Sequence, residues 1–177
     1  MEPEAPLLER EPALAALDAA LAAVRAGHGR SVVVAGEAGI GKTRLLQAVQ
    51  HGAGDVQWLG AACDPLLTPR PLGPLVDLSA RLPPALGEAV HAARTYNGLF
   101  PALADWLART RPPVVLALED LHWADEATLD AVRYLGRRIA GLPALLLLTR
   151  RDDEPSPALA RTLAQLDPLA TLQVDLR

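Results

Sequence analysis

Leu14, Leu17, Leu21 and Val24 recur at three- and four-residue steps within EPALAALDAALAAVRA, which predicts an amphipathic helix over 11–26, ended by Gly27 and Gly29. The pattern then changes period. SVVVA (31–35) is a short β-branched run and predicts a strand leading directly into a glycine-rich loop. A helix follows from Lys42 to about His51, with Leu45, Leu46 and Val49 on its inner face, and VQWLGAA (56–62) is a second strand. Asp64 to Pro74 carries four prolines and reads as a connection. Helical spacing returns at about 74–82, 84–94 and 98–110. VVLAL (114–118) is a buried strand, Glu126 to Ile139 a helix capped by Asp125, and ALLLLT (144–149) another buried strand. Pro157–Gln165 reads as a helix and TLQVDL (171–176) as a final alternating strand.

Five strands separated by helical segments predict an α/β fold, a three-layer sandwich around a mostly parallel five-stranded sheet. The 177 residues suffice for one domain, 1–177, with 1–12 as a lead-in segment. Half the residues are hydrophobic but only 3 % are aromatic, so the core must be built from Leu, Val and Ala. A net charge of −4 and a pI near 5.5 argue against a nucleic-acid groove formed by this segment. The acidic start MEPEAPLLERE has no basic signal-peptide region, and the apolar stretch Ala13–Val24 is too short to span a bilayer. Cys63 is alone, which excludes an internal disulfide and fits a reducing, cytoplasmic setting away from membranes.

Lys42 is the single lysine among 17 basic residues, and it lies in GEAGIGKT (36–43). That octapeptide meets G-x-x-x-x-G-K-[ST] at every fixed position, between a predicted strand and a predicted helix. Glycines at 36, 39 and 41 are expected to take positive φ and turn N–H groups inward as an anion nest. The helix N-terminus adds its dipole. Lys42 would reach the β- and γ-phosphates as a compact charge, a role the wide planar fork of arginine does not fit. Thr43 would offer its hydroxyl to Mg²⁺. The expected phosphate-binding set is Gly36, Glu37, Ala38, Gly39, Ile40, Gly41, Lys42, Thr43 and Arg44.

Phosphoryl chemistry also needs carboxylates at a neighbouring strand tip. PPVVLALED supplies Glu119 and Asp120, two acids that are costly at the end of a buried strand unless they meet a cation. Either Glu119 reaches the metal shell and Asp120 acts on water, or Asp120 is the metal-side acid. ALLLLT runs into Arg150 and Arg151, either of which could sense a γ-phosphate. His122 has no partners at metal-ligand spacing and reads as a packed loop residue, and Cys63 as a small buried one. Asp125 reads as a helix cap rather than a catalytic acid.

GEAGIGKT, LALEDLHWADEATLDAVRYLGRR and LLLLTRRDDE together resemble the ATPase region of large LuxR-type bacterial transcriptional regulators, within the STAND branch of AAA-like P-loop NTPases. The resemblance spans nearly the whole chain, and LHWAD is its most family-specific part. PLLEREPALAALDAAL is similar to the opening segment L-x-G-R-E; Arg10 and Glu11 match, and Glu9 stands where glycine is usual. The resemblance implies that Arg10 helps hold the nucleotide, that Lys42 and Thr43 bind phosphate and Mg²⁺, and that Glu119 and Asp120 form the acidic site. It implies Arg151 as the sensor arginine, with Arg150 as the alternative. ATP or ADP with Mg²⁺ are then the ligands. The expected function is slow ATP hydrolysis by the switch module of a transcriptional regulator, with self-association or association with regulatory domains. Relatives continue into a helical lid and a DNA-binding helix-turn-helix, so the chain reads as a core lacking that lid, either truncated or standing alone. The alternatives are a non-catalytic nucleotide-binding remnant and a small-molecule kinase. A GTPase is excluded, because a guanine-reading N/T-K-x-D motif needs a lysine other than Lys42.

Overall fold

The computed structural model describes residues 10–65, 70–93 and 95–177. Position 9 and most of the 1–12 lead-in lie outside them, as does part of the proline-rich connection. Helix α1 (Glu11–Arg25) is followed by β1 (Arg30–Ala35), α2 (Lys42–Gly52), β2 (Gln57–Ala62), α3 (Gly73–Leu78), α4 (Pro84–Ala92) and α5 (Leu99–Arg109). The second half comprises β3 (Val114–Glu119), α6 (Glu126–Gly136), β4 (Ala144–Arg150), α7 (Pro157–Leu163) and β5 (Thr171–Asp175). Short 3-10 turns occupy Ser79–Arg81, Leu121–Trp123 and Ile139–Gly141.

The strands form one sheet in the order β2-β3-β4-β1-β5, and every pairing among the described residues is parallel. Period-2 alternation divides the core into two layers. Val32, Val34, Val115, Ala117, Leu145 and Leu147 face α1 and α2. Val33, Leu116, Leu118, Leu146 and Leu148 face the layer built from α3 to α7. Burial on both faces is why β3 and β4 read as unbroken apolar runs. Each fully buried leucine of this core contributes about 2 kcal/mol through apolar area removed from water.

Three details differ from the periodic reading. Helix α6 stops at Gly136, and the expected last turn is replaced by the 3-10 turn at Ile139–Gly141. Gly136 packs against Leu166, where a Cβ would meet Leu166 Cδ2 at 2.3 Å. Strand β5 buries only Val174, and Leu172 stays 40 % exposed, because β5 is an edge strand paired on one side with β1. Leu14 is only half-buried, and Ala13 and Ala20 complete the inner face of α1 beside Leu17, Leu21 and Val24.

Candidate phosphate site

The parallel sheet brings the carboxyl ends of β1, β3 and β4 to one edge. Residues 36–41 link β1 to α2 along that edge. Gly39 (φ +73°) and Gly41 (φ +102°) occupy left-handed backbone with open space where a Cβ would stand. Gly36 corrects the expectation of positive φ at all three glycines. Its backbone is ordinary, and glycine is needed for space: a Cβ would lie 2.9 Å from Ile40 Cγ2 and 3.1 Å from the Leu176 carbonyl oxygen.

Gly41 caps α2 without any side-chain hydrogen bond, so the first-turn N–H groups of α2 stay available to an anion. Lys42 is 8 % exposed, and its Nζ donates to the carbonyls of Gly36 (2.7 Å) and Glu37 (2.8 Å). The ammonium is thus fixed inside the curve of the loop. Glu37, Ala38 and Gly39 form its exposed crest, and Arg44 lies on the exposed side of α2. Arg10 braces the loop from outside: Nη2 donates to the Ile40 carbonyl at 2.7 Å and Nη1 to the Arg177 carbonyl at 3.3 Å.

Thr43 and Glu119, 76 positions apart, meet directly, with Thr43 Oγ1 donating to Glu119 Oε2 at 2.7 Å. Glu119 ends β3 opposite Ala62, and its carbonyl accepts from the Cys63 N–H at 2.9 Å. Asp120 turns the chain out of the sheet in left-handed backbone (φ 56°, ψ 44°). Its N–H donates to Thr149 Oγ1 at 2.9 Å. Thr149 is buried in β4 and locks the acidic tip to the arginine-bearing strand. Sequence reasoning missed it, and a hydroxyl closing an otherwise aliphatic run was the available signal.

Arg150 pairs across the sheet with Ala35, the last residue before the loop, and its Nη1 donates to the Arg151 carbonyl at 3.3 Å. Arg151 is bound by two carboxylates: Nε and Nη2 donate to Asp153 (3.0 and 2.6 Å), and Nη1 lies 2.6 Å from Glu154 Oε1. His122, with a side chain 1 % exposed, accepts the Arg151 N–H on Nδ1 at 3.4 Å. Burial lowers its pKa, against the opposing pull of Asp120 and Glu154, and the bond accepted by Nδ1 leaves Nε2 to carry the ring proton. Asp125 is the helix cap its position predicts: Oδ1 accepts the N–H groups of Thr128 (2.9 Å) and Leu72 (3.1 Å).

Two cavities flank this edge. One of about 230 Å³ borders Thr43 and Glu119 and is lined by Gln47, Gln50, Trp58 and Arg81. A larger one, about 510 Å³, opens beside Arg150 and Arg151 between the 152–157 loop, α7 and Gln173. Neither is lined by residues 36–42. The donor set suits a polyphosphate with a divalent cation. Backbone N–H groups and one ammonium could meet an anion, and the converging hydroxyl and carboxylate are oxygen ligands of the kind a hard cation takes.

The profile of the AAA ATPase domain matches residues 6–148. An uncharacterised protein of Rhizobium meliloti is 29 % identical over 197 residues, covering 85 % of this chain and 19 % of that protein. The chain therefore spans about a fifth of that relative's length. Among solved structures, Cdc6p of Pyrobaculum aerophilum superposes with a TM-score of 0.61 at 16 % identity, over 96 % of this chain and 46 % of that one. A STAND protein with a tetratricopeptide repeat sensor from Pyrococcus horikoshii gives 0.55 at 17 % identity, over 90 % and 22 %. The Drosophila ORC complex with AT-rich DNA and Cdc6 gives 0.58 at 16 % identity, over 95 % and 58 %. At these identities the likeness is one of fold.

Proposed function

This chain belongs to the AAA ATPase domain family, and within it we propose an ATP-binding module that hydrolyses ATP slowly, using Mg²⁺. The observation that carries the reading is the meeting of Thr43 and Glu119 at 2.7 Å beside the Lys42 loop. Loop and acid come from distant parts of the chain, and their convergence supports one shared cation site.

In this reading the N–H groups of 37–43 and the Lys42 ammonium hold the β- and γ-phosphates. Thr43 and Glu119 would hold the cation. The bound ion would neutralise charge that builds on the phosphate oxygens. The Thr43 contact favours Glu119 as the metal-side acid and leaves Asp120 to orient water. Asp120 takes a proton from the water whose oxygen bonds to the γ-phosphorus, while the bond to the β–γ bridging oxygen breaks and ADP keeps that oxygen. Arg151, with Arg150 as its alternate, answers charge on the γ-phosphate from the tip of β4. Arg10 steadies the loop at Ile40.

LALEDLHWAD and TRRDDE, together with the STAND protein among the fold relatives, support the finer reading of a nucleotide switch in a LuxR-type regulator. Fluorescent ATP and ADP analogues titrated into the wild type and Lys42→Ala provide the test. Loss of at least about tenfold in affinity is expected, since charge-assisted hydrogen bonds contribute about 1.5–3 kcal/mol each. Equal affinity in the variant would sink the phosphate-loop assignment. Phosphate release unchanged by Glu119→Gln/Asp120→Asn would leave a binding module without catalysis.

A further inference from the structure

Glu154 has no part in the phosphate cradle, yet it stands between His122 and Arg151. Its Oε1 lies 2.6 Å from Arg151 Nη1, and its Oε2 lies 3.5 Å from His122 Nε2. The backbone closes the circuit, because the Arg151 N–H donates to His122 Nδ1 at 3.4 Å. That bond assigns the imidazole proton to Nε2, which points toward Glu154 and is buried with no hydrogen-bond partner among the described residues. An orphaned, buried N–H directed at a carboxylate marks a contact that a small movement of Glu154 would complete.

The ring joins both strand tips. His122 lies two residues beyond Asp120 in the turn that follows β3, and Arg151 immediately follows β4. Thr149 already ties these tips through the Asp120 N–H. The guanidinium carries five N–H donors: two are given to Asp153, and Glu154 faces Nη1. Donors remain for an incoming phosphate oxygen. Two carboxylates on separate edges also fix the plane of a side chain that otherwise has many rotamers.

We propose that Glu154, with His122 beside it, is a positioning residue that orients the Arg151 guanidinium toward the γ-phosphate and couples it to the Glu119-Asp120 tip. This rests on the reading of Arg151 as the γ-phosphate sensor. Glu154 itself touches neither nucleotide nor metal. Its effect should be confined to the distinction between triphosphate and diphosphate, because ADP offers nothing for Arg151 to grip.

The test measures dissociation constants for fluorescent ATP and ADP analogues with Mg²⁺ in the whole chain. The variants are Arg151→Ala, Glu154→Gln, Glu154→Asp, His122→Asn and the double variant Arg151→Ala/Glu154→Gln. Glu154→Gln is expected to weaken ATP about three- to tenfold while ADP affinity stays within about twofold, and Glu154→Asp to recover part of the loss. The double variant should be no worse than Arg151→Ala alone, the signature of two residues acting as one unit. His122→Asn should shift the ATP-to-ADP ratio in the same direction, and it carries the test if Glu154→Gln does not fold. An unchanged ratio, additive losses, or tighter ATP binding in Glu154→Gln overturns the proposal; the last would mean that the carboxylate competes with phosphate. Nucleotide binding that ignores Lys42→Ala overturns the ATP-binding reading itself, a separate result.

Discussion

Glu119→Gln separates a metal-side acid from a structural one. The carboxamide keeps an acceptor oxygen for Thr43 Oγ1, now 2.7 Å from the carboxylate, so the contact changes from charge-assisted to neutral. Such a change lowers a hydrogen bond from about 1.5–3 to about 0.5–1.5 kcal/mol, and partial exposure reduces the difference further. Stability should fall by no more than about 1 kcal/mol, a melting shift of about 2–4 °C for a domain of this size. The lost charge acts differently on a divalent cation. Removing one unit charge about 4 Å from it costs about 2 kcal/mol at the dielectric of water and several times that at a protein-surface value, so the hold on Mg²⁺ should weaken at least about 30-fold. ATP titrations with and without Mg²⁺ measure this directly. Binding without Mg²⁺ should be unchanged or tighter, since one repulsion against phosphate is gone, and the gain on adding Mg²⁺ should shrink. A full Mg²⁺-dependent gain in the variant, or a melting shift beyond about 6 °C, would refute the reasoning.

Other consequences are structural. Asp125→Ala removes the acceptor for the N–H groups of Thr128 and Leu72 and should cost about 2–3 kcal/mol in urea unfolding, more than a solitary cap. Gly29→Ala would place a Cβ 2.0 Å and 2.2 Å from the carbonyl oxygens of Ile139 and Leu142. Backbone cannot rotate away, so a loss above about 3 kcal/mol is expected, against about 1–2 for Gly27→Ala, where only the left-handed backbone is strained; the opposite ranking would contradict the packing. Burial pushes the Cys63 thiol up to about 12, so iodoacetamide at pH 8 should label it at least about 100-fold more slowly in the native protein than in urea. The raised folded value makes this contribution fully present below about 9.0 and lost as pH rises toward 12. Unfolding at pH 8 and 10.5, compared with Cys63→Ala, isolates it, and native labelling as fast as in urea would place the thiol at the surface.

The α/β class, the glycine-rich turn between β1 and α2 and the carboxylate pair at the end of β3 were legible because each is written locally. Strands buried on both faces must be apolar runs, helices must repeat every three to four residues, and GEAGIGKT carries its own backbone requirements. Fine boundaries were less legible. Helix α6 is periodic to Ile139, yet it stops at Gly136, where the chain packs on Leu166. The need for glycine at 36 was visible, but its cause lies in Leu176, 140 positions away.

The sequence by itself therefore determined which side chains this protein could bring to a phosphate: one lysine, one threonine, two acids and four arginines. Only the tertiary structure decided how they are used. The register of β1, β3 and β4 sets Thr149 beneath Asp120 and Arg150 beside Ala35, and the packing of α2 on the sheet sets Thr43 against Glu119. The same strand ends bring His122, Glu154 and Arg151 into one ring. No local pattern encodes such pairings, because they depend on where two helical layers fix strands distant in sequence.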